Sequence, residues 1–225
     1  MLNTSNDTAA LIEAIAFAAH KHRDQRRKDV NATPYINHPL SLAHVLAVEA
    51  GVTDLPTLIA AILHDTIEDT ETTHDELARH FGTTVADIVA EVTDDKRLPK
   101  EMRKQLQVEH AHDMSFRAKR VKLADKTCNL RDVAVNPPAG WELSRRVEYF
   151  DWAKRVVDNL RGVDATLEAL FDQEYAAKPE EGSLWRSWFR SGARRSGSAP
   201  RCPVPARSPA TASPARFRPP ASTED

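Results

Sequence analysis

Glycine is scarce in this chain: seven among 225 residues, with no GxGxxG and no GxxxxGK[ST] run. Without such turns the backbone has no tight cradle for a dinucleotide or a triphosphate, so Rossmann and P-loop readings lose their main support. Cysteine is scarcer still. Cys128 and Cys202 lie far apart and form no CxxC pair, which argues against a disulfide scaffold or a thiolate zinc site and fits a reducing compartment. No run of about 18 apolar residues occurs, and the opening MLNTSNDTAA carries no basic cluster, so neither a membrane span nor a signal peptide is expected. Alternation with a period of two is nearly absent, and no internal repeat stands out. These absences leave a soluble, cytoplasmic, all-α protein as the expectation.

What is present suffices for a packed core, since 41% of residues are hydrophobic and 28% charged. The net charge of -2 averages two unlike parts. From Ser183 onward there are eight arginines, no lysine, and only Glu224 and Asp225 as acids, and half of the prolines fall after residue 199. A Pro/Arg/Ser-rich, disordered tail over 183–225 is therefore expected, after a body over 1–182. That body holds 23 Lys and Arg against 31 Asp and Glu, and an acidic surface argues against a nucleic-acid partner.

The body reads as helices separated by short breaks. Leu11, Ile15, Ala18 and His22 keep helical spacing after Asp7 as a cap. Pro39 suits the first turn of a second helix that ends before Gly51, and Thr53 or Asp54 opens a third with Pro56 near its start. Thr73-x-x-Glu76 is a capping-box pattern for a short helix that stops at Gly82. Val85, Ile88, Val89 and Val92 mark another, followed by helices at about 99–111, 115–131, 144–161 and 164–177.

The chemistry concentrates in Leu63-His64-Asp65-Thr66-Ile67-Glu68-Asp69. On a continuous helix Glu68 lies one turn after His64 and Asp69 one turn after Asp65, so both acids return to the same face. Two remote partners are available. Tyr35-Ile36-Asn37-His38-Pro39 sets an imidazole at a helix entrance, and Val121-Lys122-Leu123-Ala124-Asp125 sets a carboxylate in an apolar helical stretch. Singly, His38 reads as a helix cap and Asp125 as a partner of Lys122 or Lys126. Together, His38, His64, Asp65 and Asp125 offer two imidazoles and two carboxylates. Such mixed ligation suits Mn²⁺, Fe²⁺ or Zn²⁺, and the carboxylates tilt the choice toward manganese.

The order H…HD…D resembles the HD-domain metal-dependent phosphohydrolases, which are helical bundles. Arg26-Arg27-Lys28-Asp29, Thr33 to Pro39, His64 to Asp69, Glu91 to Lys96 and Val121 to Lys126 are similar to the hydrolase domain of the RelA/SpoT group, and to its small stand-alone Mesh1-type alarmone hydrolases. The likeness runs through residues 8–175. It implies hydrolysis of (p)ppGpp at the 3′-pyrophosphate, a reaction of the stringent response that releases pyrophosphate and leaves GDP or GTP. It also implies one Mn²⁺ held by His38, His64, Asp65 and Asp125, with Glu68 and Asp69 as the catalytic acids. The guanine nucleotide would meet Arg27 and Lys28, with Asn129 facing the same cavity one turn after Asp125. Lys100 and Arg145 are candidates for phosphate oxygens and Tyr149 for the nucleotide edge. Cys128 stands where relatives often carry a larger residue, which would alter the pocket wall. Two alternatives stay open: a phosphatase of another 2′- or 3′-phosphorylated nucleotide such as NADPH, and a catalytically idle scaffold that binds alarmone.

Overall fold

The computed structural model describes residues 4–180, with side chains from residue 6, so the expected tail at 183–225 lies outside the described residues. Those residues are helical, and pairing of extended backbone is limited to two isolated bridges, Arg26 with Pro34 and Asp29 with Pro138. The elements are α1 (Thr4–Lys21), α2 (Asn37–His44, continued by a π-turn over Val45–Glu49), α3 (Leu55–Leu63), α4 (Thr66–Asp69) and α5 (His74–Phe81). They continue with α6 (Thr83–Val92), α7 (Lys100–His110, then a 3₁₀ turn over Ala111–Asp113), α8 (Phe116–Val135), α9 (Leu143–Asp158) and α10 (Ala165–Ala176). The all-α expectation holds.

Two helices form the centre. In α3 every residue from Thr57 to Leu63 is buried, so the helix has no solvent face. It packs against α1, α2, α6 and α8. Ala14 and Ala18, both buried, let α1 approach it closely. Asp54 caps α3 by accepting the Thr57 N–H at 3.1 Å, as its sequence position suggests, with Pro56 in the first turn. The second central helix, α8, touches α2, α3, α6, α9 and α10. It buries Lys122, Asp125 and Lys126 alongside its apolar residues, which blurs the amphipathic pattern expected of a helix with one wet face.

Three local expectations need correction. Asp7 lies inside the first turn of α1, where its charge complements the helix dipole, and is not a cap. Thr73 does cap α5 through the Glu76 N–H at 3.2 Å, but the Glu76 carboxylate pairs with Lys21 at 2.8 Å and does not reach back to close the box. The helix also does not run through 64–69. His64 Nδ1 donates to the Ala61 carbonyl at 2.8 Å, and Thr66 Oγ1 donates to the Leu63 carbonyl at 2.7 Å. These side chains take carbonyls that the next helical N–H groups would use, so α3 stops and α4 begins one step later.

Candidate active site

The interruption after Leu63 gives the HD pair its geometry. His64 keeps helical backbone angles as the residue that caps the C-terminus of α3, while Asp65 sits at φ −100°, ψ 2°, between α3 and α4. The two side chains then turn toward one place, with Oδ2 of Asp65 2.9 Å from Nε2 of His64. His38, in the first turn of α2, brings its ring to 5.2 Å from that of His64. One ligand atom from each of His38, His64 and Asp65 lies within 4.8 Å of the others.

Both imidazoles are buried; Nδ1 of His38 has no hydrogen-bond partner, and Nε2 of His64, although 2.9 Å from Asp65 Oδ2, is not aligned for a hydrogen bond. A buried polar atom left unpaired is costly, so the unpaired Nε2 of His64 beside the Asp65 carboxylate marks a place built for a cation. In His64 the proton on Nδ1 is held by the Ala61 carbonyl, which leaves the Nε2 lone pair for a metal. Burial works against protonation of His64, but the Asp65 and Asp125 carboxylates outweigh it and raise its pKa. In His38 burial prevails and lowers the pKa. The donor set therefore fits a divalent ion.

Asp125 stands beside this group and not within it. Its Oδ1 is 3.2 Å from His38 Nε2 and accepts from Asn129 Nδ2 at 2.6 Å, while Oδ2 accepts from Lys126 at 3.1 Å. Burial opposes its charge, yet Lys126 and His38 hold its pKa well below the usual carboxylate range. The pairing with Lys126 read from the sequence is thus present, alongside the contact with His38. Oδ1 thus has two partners, whereas Oδ2 has one and keeps a second lone pair.

Glu68 and Asp69, on α4, occupy different settings. Glu68 Oε2 accepts the Asp94 N–H at 3.1 Å, and Oε1 lies 3.8 Å from Arg103. Burial is the main cause that raises its pKa. Asp69 accepts from Gln25 Nε2 at 2.6 Å and forms an ion pair with Lys96.

A cleft of about 810 Å³ opens over these groups. His38, Asp65, Glu68 and Asp69 form part of its lining, together with Arg27, Lys28, Asn129 and Tyr149. Lys100 and Arg145 do not line it. Arg145 covers the ring of the cleft residue Trp141 at 4.6 Å, and Lys100 has its pKa lowered by burial and by the charges of Arg145, Lys104 and Lys28. Cys128 is buried in the core and is no part of the cleft lining, so it does not shape the wall.

Several contacts were not singled out from the sequence. Tyr35 donates its hydroxyl to Asp65, and Arg27 pairs with Asp132 while its guanidinium lies 5.8 Å over the Tyr35 ring. Lys96 and Arg103 bring positive charge to Asp69 and Glu68. Tyr35 and Lys96 sit inside motifs quoted above, and that membership was the available signal. Nothing in the sequence marks Arg103 or Asp132.

Comparison with known proteins agrees with this geometry. The family model described as HD domain matches residues 14–149. Guanosine-3′,5′-bis(diphosphate) 3′-pyrophosphohydrolase MESH1 of Xenopus tropicalis is 55% identical over 171 residues, covering 76% of this chain and 96% of that protein. The protein of the same name in Homo sapiens is 56% identical over 163 residues, covering 72% and 91%. A solved structure described as a metazoan ortholog of SpoT that hydrolyzes ppGpp superposes with a TM-score of 0.73 at 51% identity, covering 75% of this chain and 94% of that one. With the buried His–His–Asp cluster in place and matches of this extent, the chain belongs to the HD-domain family and, within it, to the MESH1 group.

Proposed function

We propose that this chain is a (p)ppGpp 3′-pyrophosphohydrolase, a cytoplasmic enzyme of alarmone turnover that releases pyrophosphate and leaves GDP or GTP. The observation that carries the reading is the convergence of His38, His64 and Asp65 within 4.8 Å under a cleft lined by Arg27 and Lys28. His38, His64, Asp65 and Asp125 would hold one divalent ion, and we assign Mn²⁺ because imidazole and carboxylate ligands together suit it. When bound, such an ion acidifies water and draws charge from phosphoryl oxygens.

The remaining roles fall to side chains. Water adds to the phosphorus attached to the 3′ oxygen, the bond between them breaks, and the 3′ oxygen gains a proton as pyrophosphate leaves. Glu68 takes the proton from water, since burial makes its carboxylate more basic than an exposed glutamate. Asp69, fixed between Gln25 and Lys96, orients that water. Arg27 and Asn129, 3.5 Å apart, face the nucleoside, with Tyr149 at its edge. Lys28 lines the cleft, and Lys100 and Arg145, outside the lining, add positive charge near it that phosphates would neutralise.

The test is turnover of ppGpp by the purified chain, with products resolved by ion-exchange chromatography. Pyrophosphate release that needs added Mn²⁺, and that falls by at least about 10³-fold in His64→Ala and Asp65→Ala, is the expected result. Release of monophosphate, faster turnover of NADPH, or no need for a metal would overturn it.

A further inference from the structure

Beneath the catalytic acids lies a buried polar side chain with no part in the mechanism above. His22 follows the last residue of α1 and is only 3% exposed. Its Nδ1 is 2.6 Å from Oε1 of Gln25, and Nε2 of the same amide donates to Asp69 Oδ2, also at 2.6 Å. An amide oxygen can only accept, so Nδ1 carries the proton and the amide nitrogen must face Asp69. The backbone ties these groups together: Gln25 N–H donates to the His22 carbonyl at 2.9 Å, and Tyr35 N–H donates to the Gln25 carbonyl at 3.1 Å. The His22 ring also packs at 4.9 Å against Tyr35, whose hydroxyl reaches Asp65.

We propose that His22 and Gln25 are positioning residues, a two-step donor relay that fixes the Asp69 carboxylate for the hydrolysis proposed above; the inference rests on that reading. A glutamine has three side-chain torsions, and an untethered one gains entropy by leaving its acceptor. Anchoring the amide oxygen on a buried imidazole removes that freedom. Lys96, the other partner of Asp69, is half exposed, so water and incoming phosphate compete for its ammonium. Gln25 is the donor that stays. A carboxylate that only orients water must hold its place closely, and a misplacement of about 1 Å already costs on the order of 10²-fold.

Three variants separate positioning from mere structure. Gln25→Glu keeps the shape and removes the donor to Asp69. His22→Phe keeps a ring against Tyr35 and removes the donor to Gln25, whereas His22→Asn retains an amide N–H near the place of Nδ1. With ppGpp and saturating Mn²⁺, Gln25→Glu and His22→Phe are expected to lose about 10–100-fold in kcat. KM, Mn²⁺ affinity by calorimetry and the melting temperature should stay near wild type, and His22→Asn should recover most of the loss. Wild-type kcat in Gln25→Glu would overturn the relay, and so would equal impairment in His22→Asn and His22→Phe. A loss that appears only in KM, Mn²⁺ affinity or melting temperature would also overturn it, as a structural effect. If His22→Phe fails to fold, Gln25→Glu decides alone. An inactive wild type overturns the proposed function and the relay with it; active wild type with equally active variants overturns the relay only.

Discussion

Tyr35 does several things at once. Its ring is buried between His22 and the guanidinium of Arg27, and its hydroxyl donates to Asp65. Burial, reinforced by the Asp65 charge, raises the phenol pKa far above its ordinary value, so the group acts as a neutral donor throughout the working pH range. Residues that hydrogen-bond a metal ligand set its orientation, and removing one commonly costs 10–100-fold in affinity or activity. Tyr35→Phe deletes the hydroxyl alone. Calorimetric titration of the metal-free protein with Mn²⁺ should show affinity weakened by about 10-fold or more, with the fold intact. Unchanged affinity would mean that Asp65 either holds itself in place or binds no ion. The sequence placed Tyr35 in the right motif but gave it no role, because its role depends on a partner 30 residues away.

At the scale of elements, α3 must begin in register for its last residues to present His64. Asp54 secures that start twice, accepting the Thr57 N–H and forming a two-pronged pair with Arg117 of α8 at 2.9 Å. Arg117 lowers the carboxyl pKa from 3.8 to about 2, despite some opposition from burial. A lowered folded-state pKa stabilises above the unfolded value and fades as pH falls through the folded one. Asp54→Ala should cost about 1–2 kcal/mol through the lost cap. Asp54→Asn, which still caps, should cost less, since the partly exposed ion pair is worth roughly 0–1 kcal/mol. The deficit of Asp54→Asn in thermal melts should be full near neutral pH, shrink below about pH 4 and approach zero near pH 2. A deficit independent of pH would show that the charge contributes nothing. The start of α3 was legible because a cap and a proline are local signals. The break after Leu63 was not, because it depends on which carbonyls the His64 and Thr66 side chains claim.

Across the whole molecule, the candidate ligands come from α2, from the junction of α3 and α4, and from α8. The HD pair, His38 and Asp125 were readable because each sits in a short run of fixed residue types. Gln25, Arg103 and Asp132 were not, since their meaning arises only when α7, α8 and the segment after α1 meet around the cleft. The fold buries ionised groups, Asp125 and Lys126 among them, and buried charges are worth keeping only if something compensates them. A ligand that binds only the folded state stabilises it by RT ln(1 + [L]/Kd), about 2.7 kcal/mol at one hundred times Kd. For a body of this size that corresponds to a rise in melting temperature of roughly 5–10 °C. Stripping the metal with a chelator and returning Mn²⁺ should therefore lower and restore the melting temperature by that order. His64→Ala should melt at the same temperature with and without Mn²⁺, because it lacks the imidazole whose lone pair the site presents. If the variant responded to Mn²⁺ as wild type does, the ion would be binding elsewhere, and the cluster of His38, His64 and Asp65 would have no claim on it.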